Sequence, residues 1–107
     1  MDSPSPPSLA LVRRACAGDP DALDPEVVVR DSDGAATQVI RGRDGVMAWL
    51  AICAADLDEM VGVDRDRVVA FSTRVASDPA GMATERRDGL RWTVRGGRVA
   101  LVERYPA

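Results

Sequence analysis

Alternate residues between Thr84 and Arg95 fall into two sets of opposite character. Thr84, Arg86, Asp88, Leu90, Trp92 and Val94 form one set; Glu85, Arg87, Gly89, Arg91, Thr93 and Arg95 form the other. A sustained period of two is the pattern of a β-strand with one face on a core and one on water or a partner. Gly96-Gly97 then reads as a tight hairpin turn, and "RVALVERY", Arg98 to Tyr105, as the returning strand. A long strand so closely followed by another demands an antiparallel sheet whose Leu-Trp-Val face is covered. Arg86 and Asp88 share that inward parity but lie further from the turn. They are expected beyond the apolar part of the core, where a cavity mouth would be.

The rest of the chain supplies the cover. Ser8 is expected to cap a first helix, with Leu9, Val12 and Cys16 at helical spacing and Gly18 as its stop. Asp19-Pro20 opens a second helical turn that Asp24-Pro25 ends. "VVVRDSDG" reads as a strand, Val27 to Asp31, running into a turn, and "TQVIR", Thr37 to Arg41, as its hairpin partner. "GRDGVMAWLAICAADL" is the best helix, with Val46, Trp49, Leu50, Cys53 and Leu57 on one face. After Leu57 the period becomes two. A strand over Val68 to Ser77 and one from about Met82 to Arg95 complete the meander. Residues 1–7 read as a disordered lead-in and 8–107 as one domain. Helices first, then a strand pair, a long helix and a meander make an α+β domain, with the amphipathic helix on the concave side of a curved sheet.

Composition narrows the chemistry. The chain has 107 residues, enough for one core. It contains no His, Lys or Asn, and all 14 basic residues are Arg. Ser-His-Asp and Cys-His nucleophile systems and a Schiff-base lysine are therefore excluded within one chain. Acid-base work falls to Asp, Glu, Cys or Tyr105. No metal site is expected, because Cys16 and Cys53 are far apart in sequence and read as buried reduced thiols. A net charge of -3 argues against a nucleic-acid partner. No apolar run approaches a membrane span and no signal peptide is evident, so the expected location is cytoplasmic.

The phrases "AGDPDAL", "VVVRDSDG", "VIRGRDGVMAWL", "DRDRVVAFSTRV" and "LRWTVRGGRVALVERYP", in this order, resemble the nuclear-transport-factor-2-like superfamily. Within it the chain is similar to the SnoaL-like polyketide cyclase and ketosteroid isomerase branch. The resemblance covers Leu9 to Pro106. It implies a cone of curved sheet closed by three helices around a central cavity, and often a homodimer through the outer sheet face. It also implies a small hydrophobic, polyketide- or steroid-like ligand, and cofactor-free isomerisation, cyclisation or dehydration. Asp31 falls where ketosteroid isomerases keep their proton-shuttling aspartate. Their oxyanion-hole tyrosine and protonated aspartic acid correspond to Leu11 and Leu90, so that half of the machinery is missing. Many SnoaL-like proteins resemble one another in a histidine at the Leu90 position. The related epoxide hydrolases carry an aspartate where Arg104 stands.

The candidate catalytic residues are thus Asp31 as general base and Asp88 as its substitute partner. Candidate ligand-binding residues are Trp49, Phe71, Arg86, Leu90, Trp92, Val102 and Arg104. Each has a plainer alternative. Asp31 can be a turn residue bonded to the backbone of Ser32 to Gly34. Asp88 and Arg86 can be a surface ion pair. Trp49 and Trp92 can be core. Arg104 can reach inward as a cation or snorkel out at the sheet edge. The functional alternatives are a non-catalytic ligand-binding domain and a dimerisation module.

Overall fold

A computed structural model describes residues 7–32, 35–53, 57–77 and 79–106, with the backbone alone at 58, 74, 76, 77 and 86. Helix α1 spans Pro7–Cys16 and is followed by a 3₁₀ turn, Pro20–Ala22. Strands β1, Leu23–Ser32, and β2, Thr37–Arg41, lead into α2, Arg43–Cys53. Then come β3, Leu57–Gly62; β4, Arg67–Ser77; β5, Ala83–Arg95; and β6, Arg98–Pro106. Among the described residues, the three helices implied by the family resemblance are two α-helices and one 3₁₀ turn. No helix among the described residues is long and apolar enough to cross a membrane.

The strands form one curved, unclosed sheet in the order β2-β1-β6-β5-β4-β3. Every neighbouring pair is antiparallel except β1–β6, which is parallel. That one parallel pair joins the β1–β2 hairpin to the C-terminal meander. It aligns Val29 with Val102 and Asp31 with Arg104. Across β4, β5 and β6 the register aligns Val68, Trp92 and Val102, then Ala70, Leu90 and Arg104. One step further, Ser72 faces Asp88.

Burial follows this register. Val27, Val29, Val68, Ala70, Leu90, Trp92, Val99 and Val102 lie buried on one face of the sheet. Leu9, Leu11, Val12 and Ala15 of α1 and Val46, Trp49 and Leu50 of α2 complete the same core cluster. Both helices thus cover the concave face. The outer face is charged, as the alternation in β5 predicts. There Arg91 pairs with Glu103 at 2.9 Å, and the Arg87 guanidinium lies 4.6 Å from the centre of the Phe71 ring. Gly96 and Gly97 have φ of 61° and 77°, the left-handed pair a two-residue hairpin needs and L side chains resist.

Several boundaries move. Pro7, expected in the lead-in, is the first residue of α1, a place where its missing N–H costs nothing. The remainder of the lead-in lies outside the described residues. Ser8 is inside the helix rather than capping it, and its hydroxyl donates to the Asp64 carbonyl at 2.6 Å. That bond ties α1 to the segment between β3 and β4. Leu57 is not on the α2 face but begins β3, where it still packs against the core. Asp19 caps the 3₁₀ turn by accepting from the Asp21 N–H at 3.0 Å. Its bond from Arg14, and then that N–H, hold its carboxyl below the usual range.

Candidate functional site

Val27, Val29 and Asp31 share one parity on β1, so the chain carries its buried face straight into a carboxylate. The parallel β1–β6 register places Arg104 beside it. Arg104 Nε donates to Asp31 Oδ1 at 2.7 Å, and the two side chains are only 14% and 12% exposed. The second carboxylate oxygen is met from above. Trp49, on the buried face of α2 with Val46 and Leu50, donates its Nε1–H to Asp31 Oδ2 at 3.0 Å. Arg104 Nη1 donates to Cys53 Sγ at 3.3 Å, and its guanidinium lies 5.6 Å from the centre of the Trp49 ring. Three elements distant in sequence thus converge on one charge pair.

The Asp31 carboxylate makes these bonds to Trp49 and Arg104 and none to the backbone of Ser32; the rest of the expected turn, Asp33 and Gly34, lies outside the described residues. Arg104 turns inward rather than out at the sheet edge. A carboxylate offers about four acceptor positions, so two remain after these bonds. The N–H groups on Nη2 of Arg104 also keep their donor capacity. The site can therefore accept and donate hydrogen bonds at adjacent points.

The other candidates occupy three environments. Leu90, Trp92 and Val102 are buried beside the pair and form its apolar floor. Asp88 lies one inward position from Leu90 and is also buried, facing Ser72 across β4–β5. Arg86 is in β5, but its side chain lies outside the described residues. Phe71 has the opposite parity to Val68 and Ala70 and stacks under Arg87 on the outer face, away from Asp31. Leu11 and Leu90, the positions of the absent oxyanion donors, are core residues.

Sequence reasoning missed two polar groups. Cys53 has the pattern of a plain buried thiol, yet it accepts from Arg104. Ser72 is 3% exposed on the concave face, and its parity with Val68 and Ala70 was the available signal. Trp92 is fully buried, and its Nε1–H has no hydrogen-bond partner among the described residues. Cys16, near the end of α1, is pushed up to about 11 by burial and lies in a small groove with Met47 and Leu50 of α2. A groove of about 580 Å³ lies on the opposite, outer face, lined among others by Val28, Arg30, Val39, Arg41, Arg95 and Leu101. No cluster of three or more potential metal ligands occurs among the described residues.

No protein-family model matches the sequence, and no curated protein matches it. Solved structures do match in shape. An NTF2-like protein of unknown function from Mesorhizobium loti is 20% identical with a TM-score of 0.69, covering 100% of this chain and 96% of that one. A putative SnoaL-like polyketide cyclase from Jannaschia sp. CCS1 is 16% identical with a TM-score of 0.59, over 97% of this chain and 88% of that one. A Mycobacterium tuberculosis protein in complex with estradiol-17β-hemisuccinate is 14% identical with a TM-score of 0.64, over 96% and 95%. With its two helices on the concave face of a curved six-stranded sheet, this chain has the NTF2-like fold.

Proposed function

We propose that the concave face beneath α2 binds an apolar, polyketide- or steroid-like small molecule without a cofactor. The Asp31–Arg104 pair, capped by Trp49, carries this reading. Enclosing a charge pair in so small a core costs desolvation, and apolar residues of similar volume often stabilise a fold as well or better. A pair kept there, with donors and acceptors still unspent, is better accounted for by recognition than by stability. The Mycobacterium tuberculosis structure with its steroid ester supports the ligand class. Asp31, Trp49 and Arg104 supply the polar contacts; Leu90, Trp92 and Val102 supply the apolar wall. Asp88, on the next step of the same face, is the further polar contact.

Catalysis by Asp31 as general base is the second reading. Its favouring observation is that the carboxylate lies on the concave face with acceptor positions to spare. Against it, both oxygens already hold a donor, and a base must reach a substrate proton at about 3 Å. Two copies pairing through the outer sheet face is part of the same proposal, because the groove there carries Asp24 and Glu26 as well as Arg30, Arg41 and Arg95.

The test is a thermal-shift screen of neutral steroids and polycyclic ketones, followed by binding to Asp31→Asn. A ligand that raises Tm by mass action, and does so less in the variant, supports a concave-face site. Turnover of that ligand by the wild type and its loss in Asp31→Asn would promote the catalytic reading. Stabilisation that is identical in the variant would contradict both.

A further inference from the structure

A guanidinium carries five N–H groups. In Arg104, Nε–H is used on Asp31 and one Nη1–H on Cys53. The remaining three N–H groups, two of them on Nη2, bond to no described residue. Trp92 Nε1 is the one side-chain nitrogen or oxygen sealed from solvent without a partner among the described residues, so Nη2 remains within reach of solvent. The free edge of the guanidinium is thus both unspent and accessible.

Besides the buried Asp88, the surroundings add hydrogen-bond donors. Arg104 faces Leu90 across β5–β6, and Trp92 is the next inward residue on β5. Ser72, on β4, faces Asp88, the inward residue on the other side of Leu90. Diagonal neighbours on one face of a sheet lie about 7–8 Å apart, within reach of long and aromatic side chains. The Ser72 hydroxyl forms no hydrogen bond among the described residues. Three groups able to donate a hydrogen bond therefore surround one apolar residue.

Charge decides what they suit. Arg104 and Asp31 are in direct contact and neutral as a unit. An anionic ligand at Nη2 would leave the enclosed site with one uncompensated negative charge, close to the Asp31 carboxylate. An uncharged carbonyl oxygen takes the same charge-assisted hydrogen bond and brings no charge out of water. We infer that Arg104 is the specificity-determining residue of this site, recognising an uncharged carbonyl oxygen on an apolar ligand, with Asp31 as the positioning residue that holds its guanidinium. The inference rests on the small-molecule reading above and gives that reading a chemical class.

The test compares three probes on the whole chain: 2-acetylnaphthalene, its oxygen-free isostere 2-isopropenylnaphthalene, and 2-naphthoate. Affinities are read from titrations of the two tryptophan indole N–H signals. The ketone should bind about 10-fold tighter than the alkene, as expected of one hydrogen bond to a charged donor, and tighter than naphthoate. In Arg104→Met the ketone-to-alkene ratio should fall to near one while the alkene affinity holds. Asp31→Asn should lower the same ratio, which a general loss of stability would not do because it weakens both probes alike. If a variant does not fold, the wild-type comparison still decides. Equal binding of ketone and alkene at the indoles overturns the inference and leaves the small-molecule reading standing. Preference for naphthoate overturns it as well. If no probe moves either indole signal, the small-molecule reading fails and the inference with it.

Discussion

Asp31 and Arg104 are 73 residues apart in sequence and adjacent in the sheet, joined by a 2.7 Å hydrogen bond on its concave face. The bond depends on the one parallel strand pair in the sheet. Trp49 and Cys53 reach the same two side chains from a single helix, so α2 closes the cluster over the sheet.

Breaking the pair from either side should be costly, and breaking it from both sides should cost less than the two losses added together. Arg104→Met leaves a mostly buried carboxylate without its cation and should destabilise by about 2–3 kcal/mol, below a sealed pair because some solvent reaches it. Asp31→Asn should cost about 1–2 kcal/mol. The double variant should be less destabilised than the sum of the two by about 1–2 kcal/mol, read from urea unfolding. Additive effects would show that the two groups are not coupled.

Trp92 combines a large apolar surface with a buried donor that has no described partner. Trp92→Ala should cost about 3–5 kcal/mol. Trp92→Phe loses volume but also removes the unsatisfied N–H, so its cost should stay under about 1.5 kcal/mol. A loss in Trp92→Phe as large as in Trp92→Ala would mean that the N–H is strongly bonded.

Gly89 lies against Tyr105. A Cβ there would stand 3.0 Å from Tyr105 Cε2, but that ring is 41% exposed and free to turn outward. Gly89→Ala should therefore change stability by less than about 1 kcal/mol, and Tyr105→Ala in the same chain should cancel whatever loss is measured. A large loss that persists without the ring would place the strain in the backbone.

Burial raises the Cys16 thiol from its ordinary value of 9.0 to about 11. The folded chain therefore keeps its proton where the unfolded chain has lost it. The stability from this group is complete below about pH 9 and declines as pH rises from 9 toward 11. Unfolding midpoints should fall over that window in the wild type and fall less in Cys16→Ala. Iodoacetamide at pH 8 should alkylate Cys16 more slowly than it does a free thiol, because the thiolate is the nucleophile.

The fold was largely legible because local patterns agree with it. The alternation in Thr84–Arg95 gave the inward set that is now seen buried at Asp88, Leu90, Trp92 and Val94. Leu57 differs from the expected α2 position because an apolar residue there fits both the last turn of a helix and the first residue of a strand. Phe71 was misplaced for a related reason: Val68, Val69, Ala70 and Phe71 are all apolar, so alternation is invisible there. The site was half legible. Asp31 stood out by its place at the end of an apolar strand, but its partner depended on a parallel pairing between distant segments. No local pattern encodes that register.

The most direct test of the concave-face site uses the two indole N–H signals, which Trp49→Phe and Trp92→Phe assign. Titration with estrone, a neutral keto steroid, should shift both signals in step with the gain in Tm. Changes confined to Val28, Val39 and Leu101 of the outer groove, with both indole signals unmoved, would contradict the account.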